Sequence, residues 1–303
     1  MAPISKRTFR TWSLRTLILF GVTAAIYATL ADQDWPAIHR AVLSTSRPQI
    51  LYASLIFVVS RIFQTARFYT LCPGGFNFAK HIGLNMGSQA GIILLPFRAG
   101  ELFRPYLMNR WNKALKWSAL LFWILLEKII EGITLLPMLV VSIWALDLGE
   151  SWKSSFLIYS ALAAVGIVTG VLYRHRLRVW IHRIVQREQV GASLVLPFVT
   201  SVVSWLSWWW LFYAFMPNPM GSLALSVGVI LASSIPALPA GLGAFEAAYV
   251  WVAGRWGVSS VDALADALVL HALIIVWTLV WGVPYLLAWG IPNRTVIEAE
   301  NAA

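Results

Sequence analysis

Eight of the ionisable residues within or beside the long apolar stretches of this chain, where charged side chains are scarce, have types and positions that could do chemistry. An ionisable group in the hydrocarbon core of a bilayer is costly, so such residues usually line a transport path, bind a ligand or pair with one another. We therefore regard all eight as candidate substrate-binding residues. They are Arg98, Glu101, Arg104, Glu127, Lys128, Glu131, Glu246 and His271.

Three of these residues, Arg98, Glu101 and Arg104, are spaced by three. If residues 99–111 form a helix, the three share one face near its start. Backbone N–H groups at a helix N-terminus, together with an arginine, suit a phosphate, and the natural phosphate at a membrane is a lipid headgroup. Alternatively, Glu101 favours the positive end of the helix dipole and pairs with Arg98 or Arg104. Both interpretations fit the spacing.

Glu127 and Glu131 lie four residues apart inside a long apolar run, on one face of a predicted helix. Two ionised carboxylates there repel each other unless a cation lies between them or one of them is protonated. Lys128, Arg98 or Arg104 could supply that cation. The group is then either a site for a proton or a headgroup amine, or a salt bridge that pins neighbouring segments together.

The remaining polar positions admit similar pairs of interpretations. Glu246 follows a predicted helix break and suits the same two roles as the earlier glutamates. His271 lies in an apolar helix, where a lone histidine is more often a hydrogen-bonded packing residue than a functional one. The tryptophans between residues 205 and 210 favour a lipid-facing or core role over a ligand cage. With one cysteine, Cys72, and no Cys/His cluster, we expect no metal and no cofactor.

The elements that must position these residues are predicted to be membrane-spanning helices. The chain is 59% hydrophobic and 12% charged, which excludes an ordinary water-soluble domain. A helix crossing a bilayer needs about 20 apolar residues. Runs of that kind lie near 14–31, 49–71, 117–147, 154–173, 193–216 and 263–289. We expect an all-α polytopic membrane protein with about six full spans, forming a single transmembrane domain over residues 1–303 without a soluble domain.

Two further apolar stretches are interrupted by proline and glycine. They are His81–Trp111, broken at residues 95–101, and Ser222–Gly254, broken at residues 235–243. Proline removes a backbone donor and clashes with the preceding turn, so a continuous helix is not expected through either break. We predict two re-entrant helical hairpins. Irregular backbone at that depth needs protein or a water-filled cavity around it, so the breaks should face each other or share a cavity.

The basic residues indicate how the chain lies in the membrane. Lysines and arginines concentrate before residue 16 and again at 174–187, which predicts cytoplasmic N- and C-termini in an inner membrane. On this trace Arg61 and Arg67 also mark the cytoplasmic side. The net charge of +10 is then a topology signal, and no nucleic-acid partner is expected.

The order span, hairpin, span occurs twice, in halves at approximately 49–147 and 193–289, with opposite predicted orientations. A short echo, Leu95-Pro96-x-x-x-Gly100 and Leu238-Pro239-x-x-x-Gly243, connects the two breaks. Inverted repeats of this kind occur in secondary transporters, whose sites lie between the repeats near the midplane.

Three segments resemble the transmembrane, flippase-like domain of lysylphosphatidylglycerol synthase and its stand-alone relatives, over roughly residues 50–290. They are the stretch 95–104 (LPFRAGELFR), Glu127-Lys128, and the stretch 236–243 (PALPAGLG) followed by Glu246. The resemblance implies movement of an aminoacyl-phospholipid, glycolipid or polyisoprenoid-linked lipid between leaflets, but not synthesis. This chain departs from the pattern at Lys128, where relatives have Arg, at Ala240, where they have Gly, and at His271, where they often have Arg.

From these observations we expect a lipid translocase rather than an enzyme, acting on a lipid with an anionic or phosphate-containing headgroup. Two alternatives stay open at this stage. One is a non-transporting partner of an enzyme of cell-envelope lipid synthesis, and the other is an intramembrane transferase. The sequence leaves the oligomeric state open.

Overall fold

The computed structural model describes residues 34–72, 75–146, 195–234 and 239–290. Every regular element in these ranges is helical, as predicted. The predicted runs 14–31 and 154–173, the basic stretch 174–187 and both termini lie outside the described residues. The predictions made for those segments therefore stay predictions.

The described helices follow one another along the chain with two 3₁₀ segments between them. The α-helices are α1 Trp35–Ser44, α2 Arg47–Leu71, α3 Phe78–Leu94, α4 Phe103–Trp111, α5 Trp117–Ala145, α6 Val195–Tyr213, α7 Pro219–Ser233, α8 Ala244–Gly254 and α9 Ser260–Gly290. The first 3₁₀ helix, Pro96–Leu102, lies between α3 and α4, and the second, Pro239–Gly241, lies between α7 and α8.

Asparagine caps set where the two interrupted stretches begin. The side chain of Asn77 accepts a hydrogen bond from the backbone N–H of Lys80 at 3.0 Å, so α3 begins at Phe78. Asn218 caps α7 in the same way, and Pro219 occupies its first position. Both helices begin three residues before the predicted starts, because apolar periodicity does not register a polar cap.

Long apolar helices form the body of the described structure. By length and composition α2, α6 and α9 are candidate membrane spans. The 29-residue α5 carries Glu127, Lys128 and Glu131 within its length. Large apolar side chains are exposed along successive turns of these helices, among them Leu51, Leu55, Ile62, Leu121, Leu125, Ile129, Val276 and Val280. Such surfaces favour association in water but suit contact with lipid chains.

The helices of the two sequence halves pack against one another in a crossed pattern. Helix α2 packs against α6, α3 packs against α9, and α7 packs against α5. One buried core lies among α2 to α5 and includes Phe68, Leu84, Leu107, Met108 and Trp123. A second lies among α2 and α6 to α9 and includes Phe57, Phe212, Leu225, Phe245, Tyr249 and Leu270.

The predicted helix breaks are confirmed at both positions, and the two breaks lie side by side. The second 3₁₀ helix contacts α3 and the first 3₁₀ helix. The first 3₁₀ helix doubles back on α3, where the Ser88 hydroxyl donates to the Gly100 carbonyl at 2.9 Å. Because residues 96–102 are 3₁₀, the α-helix resumes at Phe103, and the predicted helix 99–111 starts later than expected. In a 3₁₀ helix residues three apart eclipse one another.

Replacing Gly100 with alanine should destabilise this turn. A Cβ atom at Gly100 would overlap the backbone of Gly91 and Ile92, which cannot move without shifting α3. We expect Gly100→Ala to lower stability by about 1–3 kcal/mol, seen as a lower midpoint when purified protein is heated and assayed by size-exclusion chromatography.

Gly132 is the matched control, since it lies inside α5 and a Cβ atom there meets nothing within 4 Å. Gly132→Ala should leave the midpoint unchanged or raise it, because alanine is the better helix former. Equal midpoints for the two variants would contradict the close packing of Gly100 on α3.

Candidate functional site

A cavity of about 490 Å³ lies between the two halves, beside both breaks. Its polar wall comes from the first half, α2 to α5, and consists of Arg61, Gln64, Arg67, Asn85, Gln89, Glu101, Arg104, Glu127, Lys128 and Glu131. The second half adds a mainly apolar wall that includes Trp205, Trp208, Val229, Phe245, Ile274 and the edge of His271. The volume is that of a small-molecule site.

The structure brings most of the predicted residues together at this cavity. Five of them line its first-half wall, and His271 lines the opposite one. Glu246 is bound directly to His271. The backbone of Arg98 belongs to the first 3₁₀ helix, but its side chain lies outside what the structure describes, so its predicted contacts are untested.

The buried carboxylate of Glu127 joins three helices. One of its oxygens, Oε2, accepts from Nη1 of Arg104 on α4 at 2.8 Å. The other, Oε1, accepts from Nη2 and Nε of Arg67 on α2, at 3.1 and 3.3 Å. All three side chains are almost fully buried. Burying an ion requires compensation of this kind, so the carboxylate holds α2, α4 and α5 in register.

Cations also separate Glu131 from Glu127. Oε1 of Glu131 accepts from Nη2 of Arg67 at 3.3 Å, and Oε2 accepts from Nζ of Lys128 at 3.1 Å. The Lys128 ammonium also lies 3.7 Å from Oε1 of Glu101. The repulsion expected between the two glutamates is thus relieved by cations between them, and Arg67 is the central one.

Arg104 pairs with Glu127, as one of the cations that the sequence offers for the two glutamates of α5. Its guanidinium is bound by Glu127 and lies over the ring of Phe68, 4.3 Å from the ring centroid. Stacking and ion pairing together fix the side chain against the core of the first half.

Sequence reasoning misses two residues of the site, Arg61 and Arg67. From sequence both are topology signals, yet both side chains are buried and line the cavity. The available signal is their position inside an apolar run, with Gln64 midway between them at helical spacing. Long basic side chains near the end of a span more often reach towards the interface, which is why the signal is easily overlooked.

Glu246 and His271 form a buried pair beside the second break. Oε2 of Glu246 accepts from the backbone N–H of Gly243 at 2.7 Å, and Oε1 lies 2.6 Å from Nδ1 of His271. Nε2 of His271 lies 3.0 Å from the carbonyl oxygen of Ala240. A carbonyl only accepts, so Nε2 carries a hydrogen, and one further hydrogen lies between Nδ1 and Oε1. The packing interpretation of His271 therefore fits its contacts, although the ring also faces the cavity.

Ala240 holds a backbone conformation that favours glycine. Its φ is +60° and its ψ is −2°, in the left-handed region. An L-residue with a Cβ pays about 1–2 kcal/mol to adopt this conformation. The position is the one at which this chain departs from the glycine pattern of the family it resembles, and its carbonyl is the acceptor for His271.

Comparison with known proteins identifies one family. The family model described as the lysylphosphatidylglycerol synthase TM region matches residues 12–282, which include the first half, the second half up to residue 282 and all eight predicted site residues. A search of curated proteins found no match.

Removing the negative charge of Glu127 should destabilise the protein strongly. In Glu127→Gln, Arg67 and Arg104 stay buried but lose their shared counter-charge. We expect the free energy of unfolding to fall by about 3–5 kcal/mol, which is measured as a lower thermal midpoint in detergent. Glu101→Gln is the control, because that side chain is 24% exposed at the cavity rim, and it should cost less than about 1 kcal/mol. An unchanged midpoint for Glu127→Gln would contradict this role.

Relieving the strained conformation at Ala240 should stabilise the protein. Ala240→Gly is expected to raise the free energy of unfolding by about 1 kcal/mol, seen as a higher thermal midpoint. Glycine adopts the left-handed region freely, and the carbonyl that binds His271 is retained. Ala247→Gly, at an exposed position inside α8, should do the opposite by a similar amount. Two shifts of the same sign would contradict the interpretation.

Proposed function

This chain belongs to the family of the lysylphosphatidylglycerol synthase TM region, and on that basis we propose that it moves a lipid between the two leaflets of the inner membrane. It is a membrane protein connected with lipid biology by its family and its apolar helices. The proposed substrate is a phospholipid or a polyisoprenoid-linked lipid. In this proposal the protein makes and breaks no covalent bonds and uses no cofactor.

The observation that carries the proposal is the two-sided cavity between the halves. One wall presents fixed charges and the other presents aromatic and aliphatic side chains. A lipid headgroup needs polar contacts while it crosses, and its first methylenes need an apolar surface. A polar site with one apolar wall meets both needs at the same place.

We also propose an inverted repeat with about six full spans and two re-entrant hairpins, and the crossed packing of the described helices supports the repeat. Helix α3 of the first hairpin packs on α9, the span after the second hairpin, and α7 of the second hairpin packs on α5, the span after the first. The equivalent helices α2 and α6 pack on each other. Such reciprocal contacts are expected of two related halves about a common axis, the arrangement on which alternating access is built.

The charged residues divide into two groups in this proposal. Arg67, Arg104 and Glu127 are buried and hold the first hairpin against its neighbouring spans. Glu101, Lys128 and Glu131 are more exposed at the cavity, so their ion pairs can open in favour of headgroup charges. The basic residues near the N-terminus and at 174–187 favour cytoplasmic termini.

Lipid movement can be measured on purified protein in liposomes. We expect phosphatidylglycerol carrying a fluorescent acyl chain to become accessible to external dithionite faster than in protein-free vesicles. Lys128→Gln should slow this movement about tenfold, the effect of one lost charge-assisted contact with the headgroup.

Arg255→Gln is the matched control, since Arg255 is exposed and lies outside the cavity. It should move lipid at the rate of the unchanged protein. Absence of movement by the folded protein would reject the proposal. Co-purification with a lipid-synthesis enzyme would then favour the scaffold alternative, and release of a new lipid product from a defined donor would favour the transferase.

A further inference from the structure

Arg61 differs from every other cation that lines the described part of the cavity. Arg67, Arg104 and Lys128 each form an ion pair with a glutamate. Arg61 is only 7% exposed, and no carboxylate of the described residues lies within ion-pair distance of it. The one hydrogen bond from its side chain to a described residue runs from Nη1 to Oε1 of Gln64, a neutral amide, at 2.7 Å.

The remaining surroundings of Arg61 hold the guanidinium without satisfying its donors. The group lies over the rings of Phe57 and Trp208, 4.6 and 5.7 Å from their centroids. Ring faces stabilise a cation but accept no in-plane hydrogen bonds. A guanidinium has five N–H donors, and Nε of Arg61 is buried with no described partner. A planar set of donors is therefore left uncommitted at the cavity wall.

The formal charges of the described lining residues lead to the same conclusion. The four cations Arg61, Arg67, Arg104 and Lys128 face three carboxylates, Glu101, Glu127 and Glu131. Since those carboxylates are engaged by the other cations, the surplus positive charge is that of Arg61. Arg61 has no ion-pair partner at contact distance among the described residues, and the nearby Glu131 carboxylate is already bound by Arg67 and Lys128. A buried cation in this situation is costly, so an anion entering the cavity gains a direct contact that the described residues do not supply.

We propose that Arg61 is the phosphate-binding residue of the cavity and holds the headgroup phosphodiester of an anionic lipid, with Gln64, Phe57 and Trp208 positioning its guanidinium. This inference rests on the proposed lipid function but names a different residue from the arginines that sequence spacing favours. A guanidinium matches two phosphate oxygens with two parallel hydrogen bonds, which a lysine in its place could not do. The rings of Phe57 and Trp208 hold the guanidinium in this position before a lipid binds.

Binding of short-chain lipids to purified protein in detergent tests the proposal. The probes are dioctanoyl phosphatidylglycerol, dioctanoylglycerol, which has the same chains without the phosphate, and inorganic phosphate. By titration calorimetry we expect the phospholipid to bind best, and Arg61→Gln to weaken its binding about tenfold or more. Arg61→Lys should restore little of the loss. Arg255→Gln is the control, since Arg255 also stacks on an aromatic ring, Trp251, but is exposed outside the cavity.

Stability without lipid separates binding from a structural role. Because Arg61 is a buried cation without an ion-pair partner among the described residues, Arg61→Gln should leave the thermal midpoint of lipid-free protein unchanged or raise it. The same substitution should remove the upward shift that phosphatidylglycerol causes. A midpoint lowered as in Glu127→Gln would show that Arg61 is structural and would overturn the proposal.

The probes and the liposome assay distinguish the other outcomes. Equal binding of dioctanoylglycerol would overturn phosphate recognition, and inorganic phosphate binding as tightly as the lipid would assign the site to a free anion and overturn the lipid part. If Arg61→Gln binds phospholipid normally while the unchanged protein moves lipid, this inference fails and the proposed function stands. If Arg61-dependent binding occurs without any lipid movement, the site stands and the proposed function fails.

Discussion

The arrangement of the first half depends on one constraint, the burial of the Glu127 carboxylate among packed helices. A carboxylate that is removed from water must be met by charge or by hydrogen bonds. Glu127 is met by arginines from two other helices, one on each oxygen. The hairpin helix α4, the preceding span α2 and the following span α5 are therefore joined at a single point. The position of the first break beside the cavity follows from this junction, since the break leads directly into α4.

The same junction explains why the first-half wall of the cavity carries many charged side chains but only a small net charge. Arg67 and Arg104 are used to neutralise Glu127, and Arg67 also serves Glu131. The charged groups that can still bind a ligand are those outside this cluster. They are the rim pair of Lys128 with Glu101 and the guanidinium of Arg61. Among the described cations of the cavity, Arg61 is for this reason the one whose guanidinium has no carboxylate partner.

The sequence predicts the skeleton of this structure better than its site. Apolar runs and Pro/Gly breaks are local signals, so α2, α5, α6 and α9 and both interruptions were predictable within a few residues. The grouping of Glu127, Lys128 and Glu131 was also predictable, since one helix carries all three. The roles of Arg61 and Arg67 were not, because whether a long basic side chain turns inwards depends on helices far away in sequence. The bond from Glu246 to His271 spans 25 positions and two helices, and no spacing rule connects them.

The pairing of Glu246 with His271 has a consequence for the field inside the cavity. Whether the hydrogen between the two side chains is bonded to Nδ1 of His271 or to Oε1 of Glu246, the pair has no net charge. The described second-half wall is then electrically neutral, while the surplus positive charge lies on α2. The cavity thus has a polarity across its width, and a zwitterionic or anionic headgroup would be turned with its phosphate towards α2 before any specific contact forms. The two halves have similar helices, but the first contributes a charged wall to the cavity and the second contributes a neutral one.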